Sequence, residues 1–174
     1  HVNVSRKQLL LPNLVSLVEQ ALVKHAVPPE CLHLEVTESI VMHDPESAAA
    51  KLSELRRLGV KIDMDDFGTG YSSLSCLHEF PIDVLKIDRS FIANLNRVRD
   101  FAALLQAVIT LADNLNLQVV AEGIEDAEQL TLLLALGCGF GQGIFFAKPT
   151  TSPAEIEKFV SSKVKLPLRE FEAL

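Results

Sequence analysis

Cysteine is scarce and scattered in this chain: Cys31, Cys76 and Cys138 are odd in number and far apart. That pattern excludes a disulfide framework and a thiolate metal site, and reduced thiols in a cytoplasmic domain are expected. Long apolar runs are missing too. None reaches the ~18 residues of a membrane span, and no signal-peptide pattern is present, so a membrane anchor would have to come from other segments of a parent protein. Positive charge is in deficit, with 16 Lys and Arg against 23 Asp and Glu and a net charge of -7. Such a balance argues against general nucleic-acid or membrane-surface binding. A phosphate-bearing ligand would need bound metals or a few placed cations. No GxGxxG follows the first strand-like run, which weakens a dinucleotide-binding reading. No linker or low-complexity segment divides the chain, and 174 residues at 48% hydrophobic suit one globular domain.

What is present is a regular alternation. Strand-like runs at 1–5, 32–36, 60–65, 84–87, 117–121 and 140–146 are separated by helical patterns. Leu14, Leu17, Val18, Ala21 and Leu22 recur at helical spacing, as do Ala48, Leu52 and Leu55 ahead of a Gly59 stop. Phe101, Leu104, Leu105, Val108, Ile109, Ala112 and Leu115 cover a wide helical face, and Gly137 stops the helix that begins near Asp126. Ser152-Pro153 opens a last helix. Strand and helix alternating six times predict an α/β fold with a parallel sheet, either an open doubly wound sheet or a closed barrel. At about 29 residues per unit, eight units would approach the ~250 of a (β/α)8 barrel, with about two units expected upstream. Residues 1–162 are read as the domain and 163–174, charged and proline-broken, as a peripheral tail.

Near the end of each strand stands a group able to bind metal or phosphate: Asn3, Glu35, Asp65 with Asp66, Lys86, Glu122 and Gln142. Each has a bland alternative; Lys86, for example, could pair with Asp83 or Asp88 on the surface. Yet successive members are separated by 20 to 36 residues, about one βα unit, and in a barrel such ends converge on one face. The centre is Asp65-Asp66-Phe67-Gly68-Thr69-Gly70-Tyr71-Ser72-Ser73. Alone it reads equally as a capped strand-to-helix loop or as adjacent carboxylates that a metal would hold together. Carboxylates and an amide without His or Cys form a hard oxygen set, favouring Mg²⁺ or Mn²⁺ over zinc. Two ions ~3.5–4 Å apart suit in-line attack on a phosphodiester, with Lys86 offsetting developing charge and Glu122 accepting a proton or holding the second ion. A Schiff-base aldolase or enolase-like enzyme is the alternative; the acidic flanks of Lys86 count against it.

Val2-Asn3-Val4-Ser5, Leu34 to Ser39, Asp65 to Ser73, Leu85 to Phe91, Ala121 to Glu125 and Gly141 to Gly143 resemble, in order, the motifs of the EAL family. That family is of bacterial phosphodiesterases that open cyclic di-GMP to linear pGpG on a (β/α)8 TIM-barrel-like fold. The resemblance implies Asn3, Glu35 and Asp65 as metal ligands, Asp66 serving a second ion, Glu122 in metal binding or water activation, and Lys86 as a catalytic lysine. It implies Glu125 and Gln142 near the substrate or catalytic water. Glu38 would steady the loop containing Phe67, Gly68, Thr69, Gly70, Tyr71, Ser72 and Ser73, linked in the family to homodimer contact. It also implies an upstream sensory or GGDEF-type regulatory domain as a possible partner in a parent protein. Two departures stand out. The namesake Glu-Ala-Leu strand would lie upstream of Asn3, and the Glu172-Ala173-Leu174 of the tail has no strand pattern around it. Gly139 stands where the family commonly has an acidic residue. The expectation is of a catalytic parent, with these residues alone weak or inactive and prone to associate; a non-cleaving cyclic di-GMP receptor or an EAL-like interaction domain are the other readings.

Overall fold

The computed structural model describes residues 1–69, 76–94 and 99–161. Gly70 to Ser73 and the tail from 162 lie outside them. Six parallel strands form one sheet: β1 (Val2–Asn3), β2 (His33–Thr37), β3 (Lys61–Phe67), β4 (Val84–Ile87), β5 (Gln118–Glu122) and β6 (Phe140–Gln142). They lie in the order β1-β2-β3-β4-β5-β6, each pairing with the next in sequence. A doubly wound sheet reverses direction partway. This one never does, and unreversed progression is how the wall of a (β/α)8 barrel is built. The choice left open by periodicity is thereby decided for the barrel type.

The connecting helices are α1 (Arg6–Leu9), α2 (Leu14–His25), α3 (Glu38–Val41), α4 (Pro45–Arg57), α5 (Cys76–Glu79), α6 (Arg89–Asn94), α7 (Arg99–Asn114), α8 (Ala127–Ala135) and α9 (Pro153–Ser161). Their starts follow from short polar side chains. Asp44 accepts the Ser47 N–H ahead of α4, and Asp126 accepts the Gln129 N–H ahead of α8. Ser5 and Gln8 form a capping box on α1. Gly59 and Gly137, both at positive φ, follow α4 and α8 as expected.

The core lies between the sheet and the helices. Leu34, Val36, Ile62, Met64, Leu85, Ile87, Val119 and Ala121 are buried there against Leu52, Leu55, Leu105 and Ile109. A parallel strand covered on both faces usually reads as a continuous apolar run. Here β2 and β3 alternate, and their other face carries Glu35, Asp63 and Asp65. That polar face is where the chemistry sits.

Three expectations need correction. The sixth strand ends at Gln142 rather than Phe146, because the Phe145 N–H turns back to the Ile124 carbonyl and the Phe146 N–H to the Gly143 carbonyl. On α2, Leu14 and Leu22 are buried but Leu17 and Ala21 are exposed. This helix packs on α4, and it meets the core through Leu14 and Leu22 with the half-buried Val15 and Val18. Leu104 of α7 is likewise exposed, while Leu105, Val108, Ile109 and Ala112 are buried and Ala102, Leu111 and Leu115 pack beside them half-buried. Among the described residues, no helix is long and apolar enough to cross a membrane.

Candidate active site

Lys86 is the hub. It sits near the C-terminal end of β4 and is only 5% exposed. Its Nζ lies 2.7 Å from Glu122 Oε1 on β5, 2.9 Å from Glu35 Oε1 on β2 and 3.1 Å from Asp65 Oδ1 on β3. The bland pairing with Asp83 is excluded: Asp83 takes Arg56, Lys61 and the Ile62 N–H instead. Burial alone would push the lysine's pKa down, but the hydrogen bonds to Glu122, Glu35 and Asp65 outweigh it and hold the ammonium well above its ordinary value. A lysine so firmly charged is unsuited to Schiff-base chemistry, which needs a free amine. Glu122 moves upward because of burial, with Lys86 opposing and Asp65 and Glu35 reinforcing.

Asp65 and Asp66 pose a geometric problem, since neighbours on a regular strand face opposite sides of the sheet. The strand is not regular there. Its register with β4 shifts between Met64 and Phe67, and Asp66 adopts a left-handed φ of 54°, a conformation that Asp tolerates better than most residues. The Asp66 N–H donates to Asp65 Oδ1 at 3.0 Å. Asp65 thus meets Lys86 while Asp66 lines the adjoining cleft. Burial, followed by the negative charges of Asp65 and Asp88, raises the Asp66 carboxyl's pKa.

That cleft has a volume of about 610 Å³, and Asp66, Asp88, Arg89, Glu122, Gln142 and Lys148 are among its walls. Glu125 is exposed on its rim, and its N–H donates to Gln129 Oε1 at 2.7 Å. Asn3 is exposed at the end of β1, in register with Glu35. Glu38 is buried at the start of α3, Phe67 is buried at the end of β3, and the Thr69 hydroxyl donates to the Asp66 carbonyl. The structure therefore gathers Glu35, Asp65, Lys86 and Glu122 directly, and places Asp66, Glu125 and Gln142 on the same opening.

Sequence reasoning missed Asp88, Arg89 and Lys148 as cleft residues. It also missed Asp63, which is fully buried one layer below Asp65 and paired with His33. Burial raises the Asp63 carboxyl's pKa, against the lowering pull of His33. The available signal was strand alternation: His33 with Glu35, and Asp63 with Asp65, stand two apart and share a face.

Residues 1–149 match the model of the EAL domain. Among curated relatives, the bifunctional diguanylate cyclase/cyclic di-GMP phosphodiesterase MucR of Pseudomonas aeruginosa is 45% identical over 154 residues, 88% of this chain and 22% of that protein. The chain spans about a fifth of the length of the curated relatives it matches. Among solved structures, a PaMucR phosphodiesterase in complex with c-di-GMP superposes with a TM-score of 0.82 at 44% identity, covering 89% of this chain and 62% of the other. A manganese/cy-diGMP complex of Klebsiella pneumoniae BlrP1 gives 0.80 at 30% identity, covering 84% and 38%.

Proposed function

This chain belongs to the EAL domain family, and from that premise we propose that it is the larger part of a metal-dependent phosphodiesterase domain that opens cyclic di-GMP to linear pGpG. The observation that carries the reading is the buried Lys86 ringed by carboxylates from three strands, one of which, Glu122, also lines a cleft large enough for a nucleotide ligand. The donor set fits a hard divalent ion: all the donors are oxygens, and they already surround a cation. Glu35, Asp65, Asp66 and Glu122, with Asn3, would hold Mg²⁺ or Mn²⁺, two ions in all. When bound, such ions polarise the phosphate and lower the pKa of a bound water.

The remaining steps belong to the chain's own residues. Glu122 either holds the second ion or accepts the proton of an attacking water. Lys86, held charged, offsets negative charge on the non-bridging oxygens as the P–O bond breaks. Arg89 and Lys148 on the cleft wall supply cations for the second phosphate, and Glu125 and Gln142 orient substrate or water. Support of the loop by Glu38, and coupling of the loop from Phe67 to Ser73 to a homodimer, belong to the same proposal. So do a cytoplasmic location and an upstream GGDEF-type regulatory partner.

The test is incubation of cyclic di-GMP in Mg²⁺ or Mn²⁺ with this chain and with the same residues extended upstream, reading pGpG by chromatography. The extended protein should release pGpG, and Glu35→Gln or Asp65→Asn should abolish the release while circular dichroism stays unchanged. Near-normal turnover by either variant in excess Mg²⁺ would remove these carboxylates from the metal set. Tight binding without product would instead identify a receptor.

A further inference from the structure

One layer below Lys86, toward the N-terminal ends of the strands, three side chains converge that the phosphodiesterase chemistry does not use. His33 Nδ1 lies 2.9 and 3.0 Å from the two oxygens of Asp63. His1 Nδ1 lies 3.0 Å from Asp63 Oδ2 and 3.1 Å from Glu35 Oε1. The two imidazole rings stack at 4.5 Å. One candidate ligand atom from each of His1, His33 and Asp63 falls within 4.8 Å of the others. Asp63 has no exposed surface, whereas the His1 side chain is 56% exposed and gives the group a path to solvent.

Hydrogen bonding accounts for this arrangement only in part. A single Nδ1–H of His1 faces two carboxylates at nearly equal distance, and one of those, Glu35, already receives the Lys86 ammonium at 2.9 Å. Donors bound to one zinc at about 2.0–2.2 Å lie roughly 3–3.5 Å apart, close to the 2.9–3.0 Å that separates each imidazole from Asp63. Two imidazoles and one carboxylate also differ in kind from the all-oxygen set above. Imidazole nitrogen selects zinc, cobalt or nickel, while Mg²⁺ prefers oxygen.

We propose that His1, His33 and Asp63 form a second metal site that takes a Zn²⁺-type transition-metal cation, with a fourth position toward Glu35. An ion there ties the residue entering β1 to β2, with which β1 pairs, and to β3. The inference does not rest on the phosphodiesterase reading: the three ligands lie outside the proposed Mg²⁺ set, and Glu35, common to both, only borders the fourth position.

The experiment is a calorimetric titration of Zn²⁺ into the metal-stripped chain with Mg²⁺ in excess, so that the oxygen cluster does not compete. The expected result is one Zn²⁺ per chain. His33→Gln and His1→Ala should each weaken it by at least the roughly 10–100-fold that loss of an outer-sphere partner costs elsewhere. Glu122→Gln should leave it in place. The exposed His1 can be truncated without disturbing the core, so its variant separates lost ligation from lost folding. Blocking the α-amino group should also leave zinc uptake intact. Failure of the folded wild-type chain to take up zinc would overturn the proposal, leaving the histidines as hydrogen-bond partners of Asp63. Unchanged uptake by both histidine variants, or loss on blocking the amino group or on Glu122→Gln, would overturn it equally.

Discussion

Replacing Lys86 by Met keeps a flexible stem of similar length and removes the charge at the hub. Glu35, Asp65 and Glu122 then face one another with no cation within reach of all three. Breaking a buried ion pair from one side costs about 3–5 kcal/mol, because the remaining charge stays desolvated. Two of the partners keep some contact with solvent, Asp65 at 14% and Glu122 at 20% side-chain exposure, so the lower end, about 3 kcal/mol, is expected. For a domain of this size each kcal/mol moves the melting temperature by roughly 2–4 °C, giving a fall of about 6–12 °C in chelator. Divalent ions should then do what the ammonium did. Excess Mg²⁺ should raise the melting point of Lys86→Met by more than it raises the wild type, where Lys86 repels the incoming ion. Circular dichroism melts with chelator and with Mg²⁺ measure both effects. A variant that melts within a degree or two of wild type in chelator, or gains no more than wild type from Mg²⁺, would refute the view of Lys86 as the internal counter-ion.

Two further predictions follow from the cleft. Asp88 accepts the Ser90 N–H at 2.9 Å at the start of α6. Burial pushes its pKa up, but the Ser90 and Arg89 hydrogen bonds prevail and hold it below the ordinary carboxylate value. Because the folded-state pKa is the lower one, its contribution is present above the unfolded value and is lost as pH falls through the folded one. Asp88→Ala should therefore cost about 1 kcal/mol at neutral pH, as loss of an N-cap does, and the gap should close in strong acid, as read by urea melts across pH. Gly143 admits no side chain, since a Cβ would run into the backbone of Ile124. Gly143→Ala should displace the end of β6 with Gln142 and weaken cyclic di-GMP binding severalfold; unchanged binding by titration calorimetry would mean that the cleft wall gives way at no cost.

Much of this architecture is legible in the sequence because the helices and strands obey local rules. The apolar face of α4, its Gly59 stop and the Asp126 start of α8 need only a turn's worth of chain to declare themselves. Glu35, Asp65, Lys86 and Glu122 are legible through spacing, as each stands toward the end of a strand about one unit after the last. The ion pairs among them are not, because they join Lys86 to residues 21 to 51 positions away in sequence and depend on the order in which strands pair. Asp63 and His33 escaped for a different reason. A polar residue inside a strand reads as ordinary alternation until the sheet shows that this face is buried. The short helices α1, α3 and α6 carry too few turns for periodicity to register.

The alternation on β2 and β3 has a consequence for how such a domain can change over time. Ile62 and Met64 answer to the helices, while Asp63 and Asp65 answer to whatever occupies the barrel interior. Folding and chemistry are thus written on separate, interleaved positions of one strand. Substitutions at 33, 35, 63 and 65 can explore new ligands while the packing at 34, 36, 62 and 64 stays fixed. The β3 irregularity is the exception to that independence. Repairing it would return Asp66 to the helix-facing side, so this one kink must be inherited whole if both carboxylates are to serve the same opening.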